Sequence, residues 1–238
     1  MNTKVILSTI AFTLLGSAAA VLAQGQQQMP MSFFIAANPT GTGNLGGLEG
    51  ADRICQNAAQ AAGAGNRTWH AYLSQEQRGT TPRVNARGRI GNGPWYNSKG
   101  QLIASNVADL HGDQQRDRNN IQRATALDEK GKEIPGPGQQ GIQNEHDVMT
   151  GSDAQGRAFT DGLDHTCNNW TSDQMTIPVQ GNNAANVPPE RARAMLGHMD
   201  RTGGGNISWN AAHMSQGCTK QSLNNTGGAG RIYCFAIN

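Results

Sequence analysis

Charge and aromatic rings are both scarce in this chain. Asp, Glu, Lys and Arg make up 15% of the 238 residues, and Phe, Trp and Tyr 5%. A formal net charge of +2 is too near zero for a protein that binds nucleic acid by neutralising phosphates. No internal apolar run approaches the roughly 20 residues of a membrane span. The absence of C-x-x-C argues against a zinc knuckle or a thioredoxin-like redox pair. Neither H-x-x-x-H nor H-E-x-x-H occurs among the six His, so a zinc hydrolase has no support. There is no G-x-S-x-G nucleophile elbow, and Asp153, Asp161 and Asp164 do not fit an EF-hand loop. These absences point away from an enzyme.

Glycine and small polar residues fill the deficit, with 31 Gly in all, which predicts a loop-rich single domain. Residues 1–23 read as a cleaved export signal. Lys4 is the lone n-region charge, Val5 to Leu15 is apolar, and Val21-Leu22-Ala23 suits the cleavage site. A polar leader over 24–31 then precedes a domain over 32–238. Cys55, Cys167, Cys218 and Cys234 all fall in the exported part, so they are expected to form two disulfides, with three connectivities open.

Strands are expected at Ser32 to Ala37 and Thr68 to Ser74. Between them, Ala51, Ile54, Cys55, Ala58, Ala59 and Ala62 give one apolar face to a helix over Leu48 to Ala62. Cys167 to Ser172 reads as extended, Glu190 to Gly197 as a short helix, and Arg231 to Ile237 as a strong final strand. This order is α+β, with short antiparallel strands, one or two helices and long loops, rather than regular βα alternation. Gly41-Thr42-Gly43-Asn44-Leu45-Gly46 matches G-x-G-x-x-G between a strand and a helix, which makes a dinucleotide-binding enzyme a minor alternative.

The order of several features resembles the C-type lectin-like fold. These are Cys55 on a helix, Trp69 to Ser74, Cys167-Asn168-Asn169-Trp170, Trp209-Asn210 ahead of Cys218, and Tyr233-Cys234-Phe235. Leu48-Glu49-Gly50-Ala51-Asp52, Trp69-His70-Ala71-Tyr72-Leu73-Ser74, Gly151-Ser152-Asp153 and Gly156-Arg157 look more like its endostatin-like branch, and like exported bacterial lectin-like proteins. The resemblance implies Cys55–Cys234 and Cys167–Cys218 pairing and a secreted or periplasmic recognition module.

Sugar-binding members of the fold hold calcium with a Glu/Gln-Pro-Asn/Asp triplet and Trp-Asn-Asp. Here Ala211 follows Trp209-Asn210, and Val187-Pro188-Pro189-Glu190 is the nearest triplet, so the standard calcium site is not expected. By position in the family, a calcium-free glycan site would draw on Asn182, Asn183, Asn186, Asp200, Arg201, Asn206 and Asn210. The zinc site of the endostatin branch uses His near the mature N-terminus, and none precedes His70 here. His146, beside Glu145 and Asp147, is expected on an exposed polar loop, and no metal or other cofactor is expected. Arg83, Arg87 and Arg89 form a small cationic cluster that could meet an anionic glycan, although such clusters are more often ordinary solvated faces. The expected function is therefore non-catalytic carbohydrate recognition. The alternative is a protein–protein or structural extracellular module, with no nucleic-acid partner and no membrane span.

Overall fold

The computed structural model describes residues 29–113, 118–175, 192–203 and 206–238. The expected export signal and the candidates Asn182, Asn183 and Asn186 lie outside them. The described residues form a mixed α+β protein with short strands, few helices and two disulfides. Among the described residues, no helix is long and apolar enough to cross a membrane.

The strands are β1 (Phe33–Ile35), β2 (Trp69–Ala71), β3 (Trp95–Tyr96), β4 (Leu102–Ala104), β5 (Asp147–Met149), β6 (Met195–His198), β7 (His213–Met214) and β8 (Gly228–Ala236). β3 and β4 form a separate hairpin. The main sheet runs β1-β8-β5-β6-β7, and β2 also pairs with β8. β8 is antiparallel to β1 and β2 and parallel to β5. All nine of its residues are buried, so its alternation separates two cores rather than a core from solvent. Ile232, Cys234 and Ala236 pack with Phe34, Trp69 and Trp170. Tyr233 and Phe235 face Phe33, Tyr72, Trp95 and Trp209.

The first core is closed by α1 (Gly47–Ala61), whose buried face is Gly50, Ala51, Cys55 and Ala59. The helix matches its sequence spacing to within a residue at each end. Asp52 anchors it by accepting from Ala71 N (2.9 Å) and Arg89 Nη2 (2.6 Å). Cys55 bridges Cys234 and Cys167 bridges Cys218, closing loops of 179 and 51 positions. Loop-closure entropy assigns these ties roughly 5 and roughly 4 kcal/mol.

Two expected elements differ. Cys167–Trp170 is a tight turn with φ of 47°, 55°, 53° and 65°, not an extended piece. Met195–His198 is strand β6 rather than helix, because pairing to β5 on one side and β7 on the other outweighs its local helix propensity. A helix over Lys220–Asn224, capped by Thr219 Oγ1 accepting from Ser222 N (3.1 Å), was not expected from the sequence.

A buried polar chain runs through the second core from α2 (Val107–His111). His111 Nδ1–H donates to Val107 O (2.9 Å), so Nε2 accepts from the Tyr72 hydroxyl (2.8 Å), which accepts from Asn210 Nδ2 (3.0 Å). Burial pushes the His111 pKa down to about 4. The unfolded chain therefore takes up this proton first as pH falls. The stabilisation from neutral His111 is complete above about pH 6.5 and is lost progressively toward about pH 4. In urea unfolding at pH 7 and pH 4.5, His111→Gln should make the loss of stability on acidification smaller by on the order of 2 kcal/mol than in the parent.

Candidate ligand cleft

Past β2 the chain doubles back on itself through isolated bridges, Gln75 to Val84 and Arg78 to Thr81. Between this ribbon and the 159–163 loop lies a cleft of about 430 Å³, lined by Glu76, Gln77, Arg78, Arg83, Phe159 and Thr160 among others. Its floor is a network of buried polar groups. Glu76 Oε1 accepts from His165 N and lies against His165 Nδ1, both at 2.9 Å. Arg78 Nη2 bridges Glu76 Oε2 (2.8 Å) and Asp164 Oδ1 (3.0 Å). Asp164 in turn accepts from Thr166 N (2.9 Å) and Asn168 N (2.8 Å). Phe159 is half-buried, and one face of its ring stacks on His165 with centroids 3.9 Å apart.

The left-handed turn at Cys167–Trp170 holds this floor. Four successive non-glycine residues in that region are strained by about 1–2 kcal/mol each. Long-range contacts offset the strain. Glu76 N donates to Asn169 Oδ1 (2.8 Å) and Asn169 Nδ2 donates to Glu76 O (2.9 Å). Trp170 Nε1 donates to Ser74 O (2.7 Å), and Cys167 is tied to Cys218. Asn tolerates this conformation better than other non-glycine residues, which suits the Asn168-Asn169 pair to the turn.

The three arginines of the sequence cluster separate. Arg87 pairs with Asp113 and Arg89 with Asp52. Arg83 has no carboxylate partner among the described residues and lines the cleft. The walls thus offer an aromatic ring, a guanidinium, the Gln77 amide and the Thr160 hydroxyl. This set suits hydrogen bonding and stacking.

The polar residues proposed from family position do not assemble into a comparable surface. Asp200 is buried and bonds His146 Nδ1 (3.0 Å), Arg123 Nη2 (3.2 Å) and Thr202 N (3.1 Å). Arg201 donates to Ile121 O (2.8 Å) and Asn119 Oδ1 (2.6 Å). Asn210 is buried beside Trp209 and donates to Tyr72, Asp153 O and Ala154 O. Asn206 is exposed and closes its own turn onto Ala211 O and Ser208 N.

The G-x-G-x-x-G loop also serves packing. Gly41 N donates to Ala229 O, Gly43 N to Cys218 O and Leu45 N to Trp170 O. A side chain at Gly43 would place its first carbon 2.4 Å from Cys167 Sγ. These three N–H groups are turned inward and are spent on packing rather than on a bound anion. His146 is buried rather than exposed, because β5 lies between β8 and β6; it meets Asp147 and His198 in a group that could hold a metal.

No family model matches the chain, and no curated protein matches it.

Asn168 is exposed and held at φ 55°. In urea unfolding, Asn168→Val should lose about 1–2 kcal/mol through its β-branched side chain, while Asn168→Gly should stay within about 0.5 kcal/mol of the parent.

Proposed function

We propose that the chain is an exported, non-catalytic recognition domain of the C-type lectin-like class, endostatin-like branch. It binds carbohydrate without calcium, in the cleft between Glu76 and Leu163. The observation that carries this reading is the pairing of a half-exposed Phe159 ring with the uncompensated Arg83 guanidinium over a buried, cross-linked floor. A sugar presents CH groups to a ring and hydroxyls to amides. A sugar carboxylate would meet Arg83, so the favoured ligands are acidic saccharides. Export is supported by the two disulfides, which form and persist in oxidising compartments.

The test is glycan-array binding of the oxidised protein lacking residues 1–23, with calcium supplied and with calcium omitted. Binding should persist without calcium and favour uronate- or sialate-bearing glycans. Phe159→Ala and Arg83→Ala should each weaken binding about tenfold, with an unchanged melting temperature for Arg83→Ala and a lowered one for Phe159→Ala, whose ring packs on His165. A protein that binds no glycan, or that binds equally well in both variants, would overturn this placement and favour a protein-binding or structural role.

A further inference from the structure

Three histidines far apart in sequence converge on one carboxylate oxygen. His146 Nε2 lies 3.3 Å from Asp147 Oδ1, His198 Nε2 3.3 Å and His213 Nε2 3.5 Å. Strand pairing produces this meeting. Asp147 on β5 is directly opposite His198 on β6, and His213 on β7 is opposite Leu196 of β6. The His146 and His198 rings stack at 4.5 Å, and His213 meets His198 edge-on at 4.9 Å.

The side chains of Asp147 and His198 are 0% and 4% exposed. Neither Asp147 oxygen and neither His198 ring nitrogen has a hydrogen-bond partner. A buried carboxylate without a donor is costly, and so is a buried imidazole with both nitrogens unmet. The far sides of the other two rings are engaged. His146 Nδ1 faces Asp200 Oδ1 at 3.0 Å and His213 Nδ1 faces Met214 O at 3.2 Å. Both partners are acceptors, so each Nδ1 carries a proton, and all three Nε2 atoms converge on Asp147 Oδ1, where one cation would satisfy the buried carboxylate and the His198 ring nitrogen together.

We propose that His146 Nε2, His198 Nε2, His213 Nε2 and Asp147 Oδ1 bind one zinc ion. Three imidazoles and one carboxylate are the donors of a borderline, tetrahedral ion and not of calcium or magnesium, which take oxygen. Tetrahedral bonds of about 2.0–2.1 Å give ligand-to-ligand edges of about 3.3–3.4 Å, close to the 3.3, 3.3 and 3.5 Å from Asp147 Oδ1 to the three Nε2 atoms; the ligand atoms of His146, Asp147 and His198 all lie within 4.8 Å of one another, and His213 joins them through Asp147. Asp200 and the Met214 carbonyl then act as positioning groups that fix the imidazole tautomers. Four protein ligands complete the shell, so the ion is structural and leaves no open position for a reacting water. It joins β5, β6 and β7 and, through Asp200, holds the connection leading to Trp209. Gly227, at φ 105°, keeps the approach clear, since a side chain there would put its first carbon 3.2 Å from His146 Nε2.

The test uses the full oxidised domain without a polyhistidine tag, so that no added imidazole competes. Elemental analysis after dialysis should find one zinc per chain. Stripping it with chelator should lower the melting temperature by about 10 °C, reversed by one equivalent of Zn²⁺. Co²⁺ in its place should give the intense visible bands of a tetrahedral ion. His213→Gln changes the least buried ligand and should fold, yet weaken Zn²⁺ binding at least a hundredfold. Asp200→Asn should weaken it about 10- to 100-fold. Absence of Zn²⁺ and Co²⁺ binding at micromolar concentrations would overturn the proposal, as would an octahedral cobalt spectrum or unchanged affinity in His213→Gln. These readouts involve no sugar, so they stand or fall separately from glycan recognition.

Discussion

β8 is hydrogen-bonded along both edges and packed on both faces, and both cores of the described residues are built on it. β1 takes one edge; β2 and β5 take successive halves of the other. Its even-numbered side chains close the core under α1, and Tyr233 and Phe235 close the core under the β3–β4 hairpin. Cys234 is bonded covalently to the helix, so the strand cannot leave either core without carrying α1 with it. Its one charge, Arg231, is neutralised by Glu145 and donates to Ala36 O and Ala37 O, which satisfies a guanidinium that would otherwise be costly to bury.

From this spine the two sites extend in different directions. The cleft hangs from the continuation of β2, where Ser74 N bonds Thr150 O and the Asn169 side chain grips the Glu76 backbone. The histidine cluster lies at the start of β5, three residues before Thr150, where β5, β6 and β7 step away from β8. The cleft floor is tied down by hydrogen bonds from Asn169 and Trp170, whereas the histidine cluster keeps buried polar atoms without partners.

The sequence was most readable where local pattern and tertiary burial agree. Ala51, Cys55 and Ala59 announce α1 because the helical period and the core face coincide. Ile232 to Ile237 announces the second half of β8, because a strand buried on both faces is apolar at successive positions. The Cys167–Trp170 turn was not readable, since nothing in Cys-Asn-Asn-Trp demands four left-handed residues. What enforces them are hydrogen bonds to Ser74 and Glu76, 96 and 93 positions away. The histidines looked scattered for the same reason. Only His146-Asp147 are neighbours in the chain, and the rest of the cluster depends on strand register. Asp200 and Asn210 are expected at a glycan site from family position, yet both are buried, and a polar side chain satisfied inside the fold looks in sequence like a solvated one.

The placement of the central strand also has a consequence for biosynthesis. β8 follows all of its sheet neighbours in the chain, so a polypeptide growing from its N-terminus presents β1, α1, β2 and β5 without the strand that joins them. Neither core can close until residues 228–236 have been made, and the pairing of Phe33 with Phe235 then spans nearly the whole domain. Such contacts are slow to form, because the closure entropy of a long loop must be overcome before they stabilise anything. A chain growing with this topology leaves the apolar Phe33-Phe34-Ile35 strand without its β8 partner until late in synthesis.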